Sequence, residues 1–166
     1  NEAFSKLSAI RTIKKSQIQN SLNARGEEVM LLAGKDMMVD AMEAFEGGWE
    51  ELGSNVTNEL QRMYIHENSH PAGSKHLLDV HGDDNLYNKA HAKYHPWLRG
   101  LMERGGYYDV FLVNHEGKVV YSVYKELDYG TDLVSGQWRD TDLGKIYRMI
   151  DQNFTRGYVA FTDLSP

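Results

Sequence analysis

Cysteine is absent from the 166 residues, which removes disulfides, thiol nucleophiles and thiolate metal ligands. Proline is scarce, with three residues in all, so no Pro-rich linker divides the chain. No run approaches the ~20 consecutive apolar residues that cross a bilayer, and the start carries no signal-peptide pattern. Basic charge is not in excess: 18 Lys and Arg stand against 24 Asp and Glu, for a formal net charge of -6. Nucleic-acid binding needs clustered cations that this composition does not supply. The only basic cluster, Arg11, Lys14 and Lys15, fits a solvated helix face or a segment just outside a membrane. There is no G-x-S-x-G elbow and no Gly-rich phosphate loop; Gly47-Gly48 and Gly105-Gly106 read as helix ends.

What the chain does contain is enough to build a core. Hydrophobic residues make up 41%, and there are three Trp, ten Tyr and five Phe, which argues against disorder. The length fits one domain, or one domain with a helical extension. Phe4, Leu7, Ile10, Ile13, Ile18 and Leu22 form a narrow stripe at helical spacing, suited to pairing with another helix. The pattern weakens at Gly26 and Gly34, and restarts at Asp36 with Met38, Met42, Phe45, Trp49 and Leu52. After a break at Gly53-Ser54-Asn55, a shorter helix carries Val56, Leu60, Met63 and Tyr64. Residues 68–84 are rich in Asn, Ser, His, Pro, Gly and Asp, and predict a long ordered loop.

Asp84 is the expected cap of a helix that buries Leu86, Ala90, Tyr94, Trp97, Leu98 and Leu101. Pro96 is expected to kink or divide it. Beyond Gly105-Gly106 the period changes from 3.6 to 2. Residues 107–113 and 118–124 read as strands, and Asn114-His115-Glu116-Gly117 as their turn. Asp140-Thr141-Asp142 caps a further helix with Leu143, Ile146, Tyr147 and Ile150, and residues 157–163 read as a third strand. Three strands leave an open edge that proteins normally cover or pair. With an abrupt start and a stop at Leu164-Ser165-Pro166, both ends are expected to continue into a longer protein.

Three groups of residues could carry chemistry. His66-Glu67-Asn68-Ser69-His70 satisfies the zinc-protease pattern H-E-x-x-H, which needs both His on one face of a continuous helix. Asn68, Ser69 and Pro71 argue against such a helix. His91 and His95, spaced i, i+4, would suit a metal together with His76 and His81; hydrogen-bonding histidines at a core edge are the better reading. The segment 121–142 sets aromatic residues beside both charge signs. Its aromatics could wall a small polar ligand, with Lys125 and Arg139 holding a carboxylate and Asp128 an amine. The same charges could instead pair locally and order the loop. The candidate ligand-binding residues are Tyr121, Lys125, Asp128, Trp138 and Arg139, supported by His91 and His95. No catalytic residue, metal or cofactor is expected.

Several runs together resemble one family. Asn68-Ser69-His70-Pro71-Ala72-Gly73-Ser74-Lys75 is similar to an N-P-H-P-x-G-x-K loop, and His91-Ala92-Lys93-Tyr94-His95-Pro96 to an H-x-x-Y-H-P signature. Tyr107-Tyr108-Asp109-Val110-Phe111-Leu112 and Val120-Tyr121-Ser122-Val123-Tyr124-Lys125-Glu126 resemble its two strands, and Asp140-Thr141-Asp142-Leu143-Gly144 its D-T-x-L-G helix start. In this order they resemble the extracytoplasmic sensor region of bacterial methyl-accepting chemotaxis proteins and related receptors. The departures are Ser69 where the loop usually has Pro, and an end before the strands that should complete the sheet.

The resemblance implies an α+β fold: long N-terminal helices packed with a PAS-like (Cache-type) antiparallel sheet, incomplete at the C-terminus. Residues 1–53 would form the helical stalk and 54–166 the sensor, which can also count as one domain. It further implies a periplasmic location, membrane spans outside this stretch, homodimerisation through the N-terminal helices, and sensing of an amino acid, organic acid or amine without catalysis. A cyclase or histidine kinase output is an alternative. Readings from other classes are a His-rich metal-dependent hydrolase and a domain that recognises a separate binding protein.

Overall fold

The computed structural model describes residues 2–162, with side chains from residue 10 onward. It is an α+β arrangement dominated by helix. The elements run α1 (Glu2–Ala33), α2 (Asp36–Leu52), α3 (Val56–Gln61) with a π turn at Arg62–His66, α4 (Leu86–Gly105), β1 (Phe111–Val113), β2 (Val119–Ser122) and α5 (Asp142–Gln152). Phe4 and Leu7 of the N-terminal stripe lie outside the described side chains. Ile10, Ile13, Ile18 and Leu22 of that stripe are exposed.

The long helix passes through Gly26 unbroken and stops at the Gly34-Lys35 step. α2 then lays its stripe against α4, burying Ala41 and Phe45 completely. Gly48 lets the two helices close up: a Cβ there would sit 2.6 Å from Tyr87 Cα. Asn85, not Asp84, caps α4, its side chain accepting from Asn88 N at 2.8 Å; Asp84 instead pairs with Lys89 at 2.8 Å. Nor does Pro96 divide α4, which runs to Gly105. Tyr94, His95 and Leu98 are buried around it, and this packing outweighs the one hydrogen bond that proline removes. The helix ends where Gly106 takes a left-handed conformation at φ 65°, a position that favours glycine.

β1 and β2 form an antiparallel hairpin with a bulge at Leu112/Val113, closed by the 114–117 turn in which Gly117 N donates to Asn114 O. The strands are shorter than the sequence predicts. Beyond β2 the amides of Val123 and Tyr124 donate to the Asp109 carboxylate, each at 3.0 Å. A side chain thus takes the bonds that further pairing would need. The expected third strand is not formed over residues 157–162, and Asp163 lies outside the described residues. That run follows α1 instead, with Phe161 and Val159 beside Gly26. Among the described residues the sheet has two strands, and no helix is long and apolar enough to cross a membrane.

Candidate functional site

Tyrosine is the commonest large side chain of the core. Tyr64, Tyr87, Tyr121 and Tyr129 are all fully buried, and burial demands that each hydroxyl find a partner. Tyr64 donates to Asn88 Oδ1 at 2.5 Å, Tyr129 donates to the Tyr87 hydroxyl at 2.7 Å, and Tyr87 donates to the Val120 carbonyl at 2.6 Å. Desolvation raises the pKa of all four phenols, so they remain neutral donors at ordinary pH.

Lys125 enters this cluster from the segment just after β2. It is the only non-glycine residue with positive φ among the described residues, at 65°, and its side chain is buried. The ammonium lies 4.3 Å from the Tyr121 ring centroid, 5.1 Å from that of Tyr129 and 5.6 Å from that of Tyr64. It donates to the Ser122 carbonyl. The electron-rich ring faces offset part of the lost hydration. Burial still lowers its pKa to about 7, opposed by the Asp109 carboxylate. Asp109 accepts from Ser122 Oγ at 2.8 Å, and burial raises its pKa.

The two imidazoles of α4 complete the cluster, and their tautomers follow from their partners. His95 Nε2 is 2.7 Å from the His76 carbonyl, so it donates there, and Nδ1 accepts from the Tyr121 hydroxyl at 2.6 Å. His91 Nδ1 donates to the Asp79 carbonyl at 2.6 Å, which leaves Nε2 bare and without a hydrogen-bond partner. The rings stack at 4.2 Å, and His91 stacks on Tyr64 at the same separation. Desolvation pushes His91 well below its ordinary value and His95 down to about 2. Both are neutral core histidines.

Of the residues expected to bind a ligand, the structure therefore gathers Tyr121, Lys125, His91 and His95 in one buried cluster that satisfies most of its own polar atoms. The others stand elsewhere. Asp128 is half-buried, with Oδ1 unpartnered and a pKa raised to about 6, chiefly by desolvation. Trp138 is half-buried with Nε1 unpartnered, and Arg139 is exposed. Tyr87 and Asn88 escaped the sequence reading, and Tyr64 and Asp109 entered it without a place in the site. For Tyr64, Tyr87 and Asn88 the signal was a tyrosine or asparagine on the buried face of a helix, where an aliphatic residue is the norm; Asp109 lies between α4 and β1 and carried no such signal.

Phe45 ties the cluster to α2. Its ring stacks on Tyr121 at 4.4 Å and lies 5.2 Å from Tyr87, so α2 touches β2 and α4 through one side chain.

The H-E-x-x-H residues do not converge. His66 ends the π turn and His70 lies beyond it. Glu67 bonds to Arg62 at 2.6 Å and to His81 at 3.0 Å, and Arg62 also holds Glu59 and Asp83. Asn68 orders the following loop by donating to the carbonyls of Tyr64 and Lys75. Among the described residues no group of three or more His, Asp or Glu could hold a metal ion.

A second feature is a cleft of about 750 Å³ beside β1, walled by the end of α1, the start of α2 and α5. Its lining is mainly aliphatic, including Leu32, Met38, Met42, Leu143 and Ile146. Tyr147 pins α5 to the hairpin turn by donating to the His115 carbonyl at 3.0 Å.

Set beside known proteins, the chain matches no family model, no curated protein and no solved structure.

Proposed function

We propose that this chain is the extracytoplasmic sensor region of a bacterial transmembrane receptor of the chemotaxis-transducer type, a binding module and not a catalyst. In this reading it has a PAS-like (Cache-type) sheet and lies on the periplasmic face of the inner membrane. The cytoplasmic output is a methyl-accepting signalling domain or, alternatively, a cyclase or kinase.

The observation that carries this reading is the Phe45–Tyr121 stack. It links the hairpin to α2, and α2 continues through the Gly34-Lys35 step into the 32-residue α1. A change in the hairpin or its surroundings therefore has a route through α2 to the far end of a long helix, the kind of small helix displacement that packed receptors use. The exposed stripe of Ile10, Ile13, Ile18 and Leu22 supports homodimerisation along α1, because single helices rarely leave such a seam uncovered. A ligand can shift the two signalling states only by binding one better than the other.

The test combines binding with a distance. The chain is screened by calorimetry against pooled amines, amino acids and organic acids, and spin labels at Ile18 report the α1–α1 separation across the dimer. The expected result is a compound that binds and alters that separation, with Phe45→Ala retaining binding and weakening the change. Failure of every pool to bind, or binding that leaves α1 unmoved, contradicts the sensor reading.

A further inference from the structure

We propose that the cleft between α1, α2, β1 and α5 is the ligand site of this domain, and that it takes a small protonated amine with an apolar tail. This rests on the sensor reading above and names the ligand class that reading leaves open.

The tyrosine–lysine cluster is occupied by its own side chains, whereas the cleft has the volume and the mostly apolar lining of small-molecule sites. Its permanent charges have one sign, and His115 is the one imidazole in the lining. Glu43, Asp109 and Asp151 line it, and no Lys or Arg does. Asp109 is committed to Ser122 and two backbone amides, but Glu43 and Asp151 have no ion-pair partner among the described residues. Arg25, over the ring of the lining Tyr107, is held by Glu28 at 2.8 Å. An entering cation meets two free carboxylates, and an anion meets repulsion.

The strand supplies the remaining polar groups. Residues 110–114, five in a row, border the cleft. Successive strand side chains point to opposite faces, so a cavity touching all five runs along the strand's edge. Val110 O accepts from Val123 N and Asn114 N donates to Lys118 O. The even-numbered backbone groups therefore face β2, and those of Phe111 and Val113 face away. Their carbonyls are acceptors for an ammonium group at the edge of an apolar chamber.

The cleft is also placed to report occupancy. Leu32 and Ala33 end α1, Met38 and Met42 begin α2, and the Gly34-Lys35 step lies between them. Filling the chamber changes the angle at which the long helix leaves the domain.

The experiment titrates the whole chain with octylammonium, 1-octanol and octanoate, which share one tail and differ in charge. Heat of binding and the carbon-13 shifts of the Met38 and Met42 methyls are the readouts. The expected order is octylammonium tightest and octanoate weakest, spanning about tenfold or more. Glu43→Gln with Asp151→Asn should bring the three within about threefold, and Ile146→Trp should narrow the chamber and weaken octylammonium binding about tenfold with the thermal midpoint retained. Octanoate binding as tightly as octylammonium overturns the proposal, as does octylammonium binding without movement of Met38 and Met42. Concentration-dependent self-association through this face, with no amine binding, also overturns it by assigning the cleft to a second copy. A different pooled compound that binds elsewhere and moves α1 would sink this inference and leave the sensor reading standing.

Discussion

Beside β2 the hairpin meets a core crowded with hydroxyls, imidazoles and an ammonium group, whereas beside β1 it borders a chamber with aliphatic walls. The two regions invert the usual expectation that polar clusters bind and apolar surfaces pack. The polar region is closed because its groups serve one another: Tyr121 donates to His95, Tyr129 to Tyr87, and Lys125 to Ser122. The apolar region is open: Tyr147 ties α5 to the hairpin turn, and a cleft of about 750 Å³ remains between α5 and β1. A buried polar cluster that is satisfied rigidifies a fold. An unfilled apolar chamber is where a molecule can still be accommodated.

If this contrast holds, truncation should cost far more in the core than in the cleft. Phe45→Ala removes the ring that contacts Tyr87, Tyr94 and Tyr121 and should lose about 3–5 kcal/mol in denaturant unfolding. Ile146→Ala, on a half-exposed wall of the cleft, should lose less than about 1.5 kcal/mol. Equal losses would erase the distinction.

Lys125→Met sharpens it from the other side. Burial depresses the folded pKa to about 7, so below pH 7 the native state carries a desolvated cation, and between about 7 and 10.5 the unfolded chain alone holds the proton. Wild-type stability therefore rises with pH through that window. The variant keeps the aliphatic stem without the charge. It should gain about 1–4 kcal/mol at pH 6, and its advantage should fade toward pH 10. A constant difference across that range would show that Lys125 does not titrate in the core.

Gly48→Ala should cost about 1–3 kcal/mol, because its Cβ would strike the backbone of Tyr87 and push α2 from α4. The cleft, bounded by other parts of these helices, should be affected less.

The last effect is pH-dependent and concerns the imidazoles. With both folded pKa values depressed by burial, the unfolded chain takes up protons below about pH 6.5 that the native state refuses. Stability from this source is present above that pH and falls by up to about 1.4 kcal/mol per unit for each ring as pH drops. Asp128, raised to about 6 by burial, works in the opposite sense between about 4 and 6. The informative quantity is therefore the difference between wild type and His91→Phe, which should narrow as pH falls from 6.5.

Much of this was legible in the chain. The stop at Gly34, the restart at Asp36, the hairpin turn at 114–117 and the Thr141 cap are local signals, each written in two or three residues. The rest depends on what meets what. Asn85 outcompetes Asp84 as a cap because its side chain reaches Asn88 N while Asp84 turns to Lys89. Residues 157–162 carry strand-forming side chains, yet a strand needs a partner edge, and here they pack on α1 at Gly26. For Lys125, the sequence shows a charged residue in a polar, aromatic segment and cannot show that a left-handed backbone turns it inward. Nor does spacing reveal the cleft, since its walls come from four separated elements.

The central claim is that the tyrosine–lysine core is closed and the cleft is open. Methionine methyl spectra of the whole chain separate the two directly, because Met63 is buried in the core beside Asn88 and Met38 and Met42 line the cleft. With pooled amines added, the account predicts movement of Met38 and Met42 while Met63 stays in place. A ligand that moves Met63 and leaves Met38 and Met42 unchanged would contradict it and return the binding site to the cluster around Lys125.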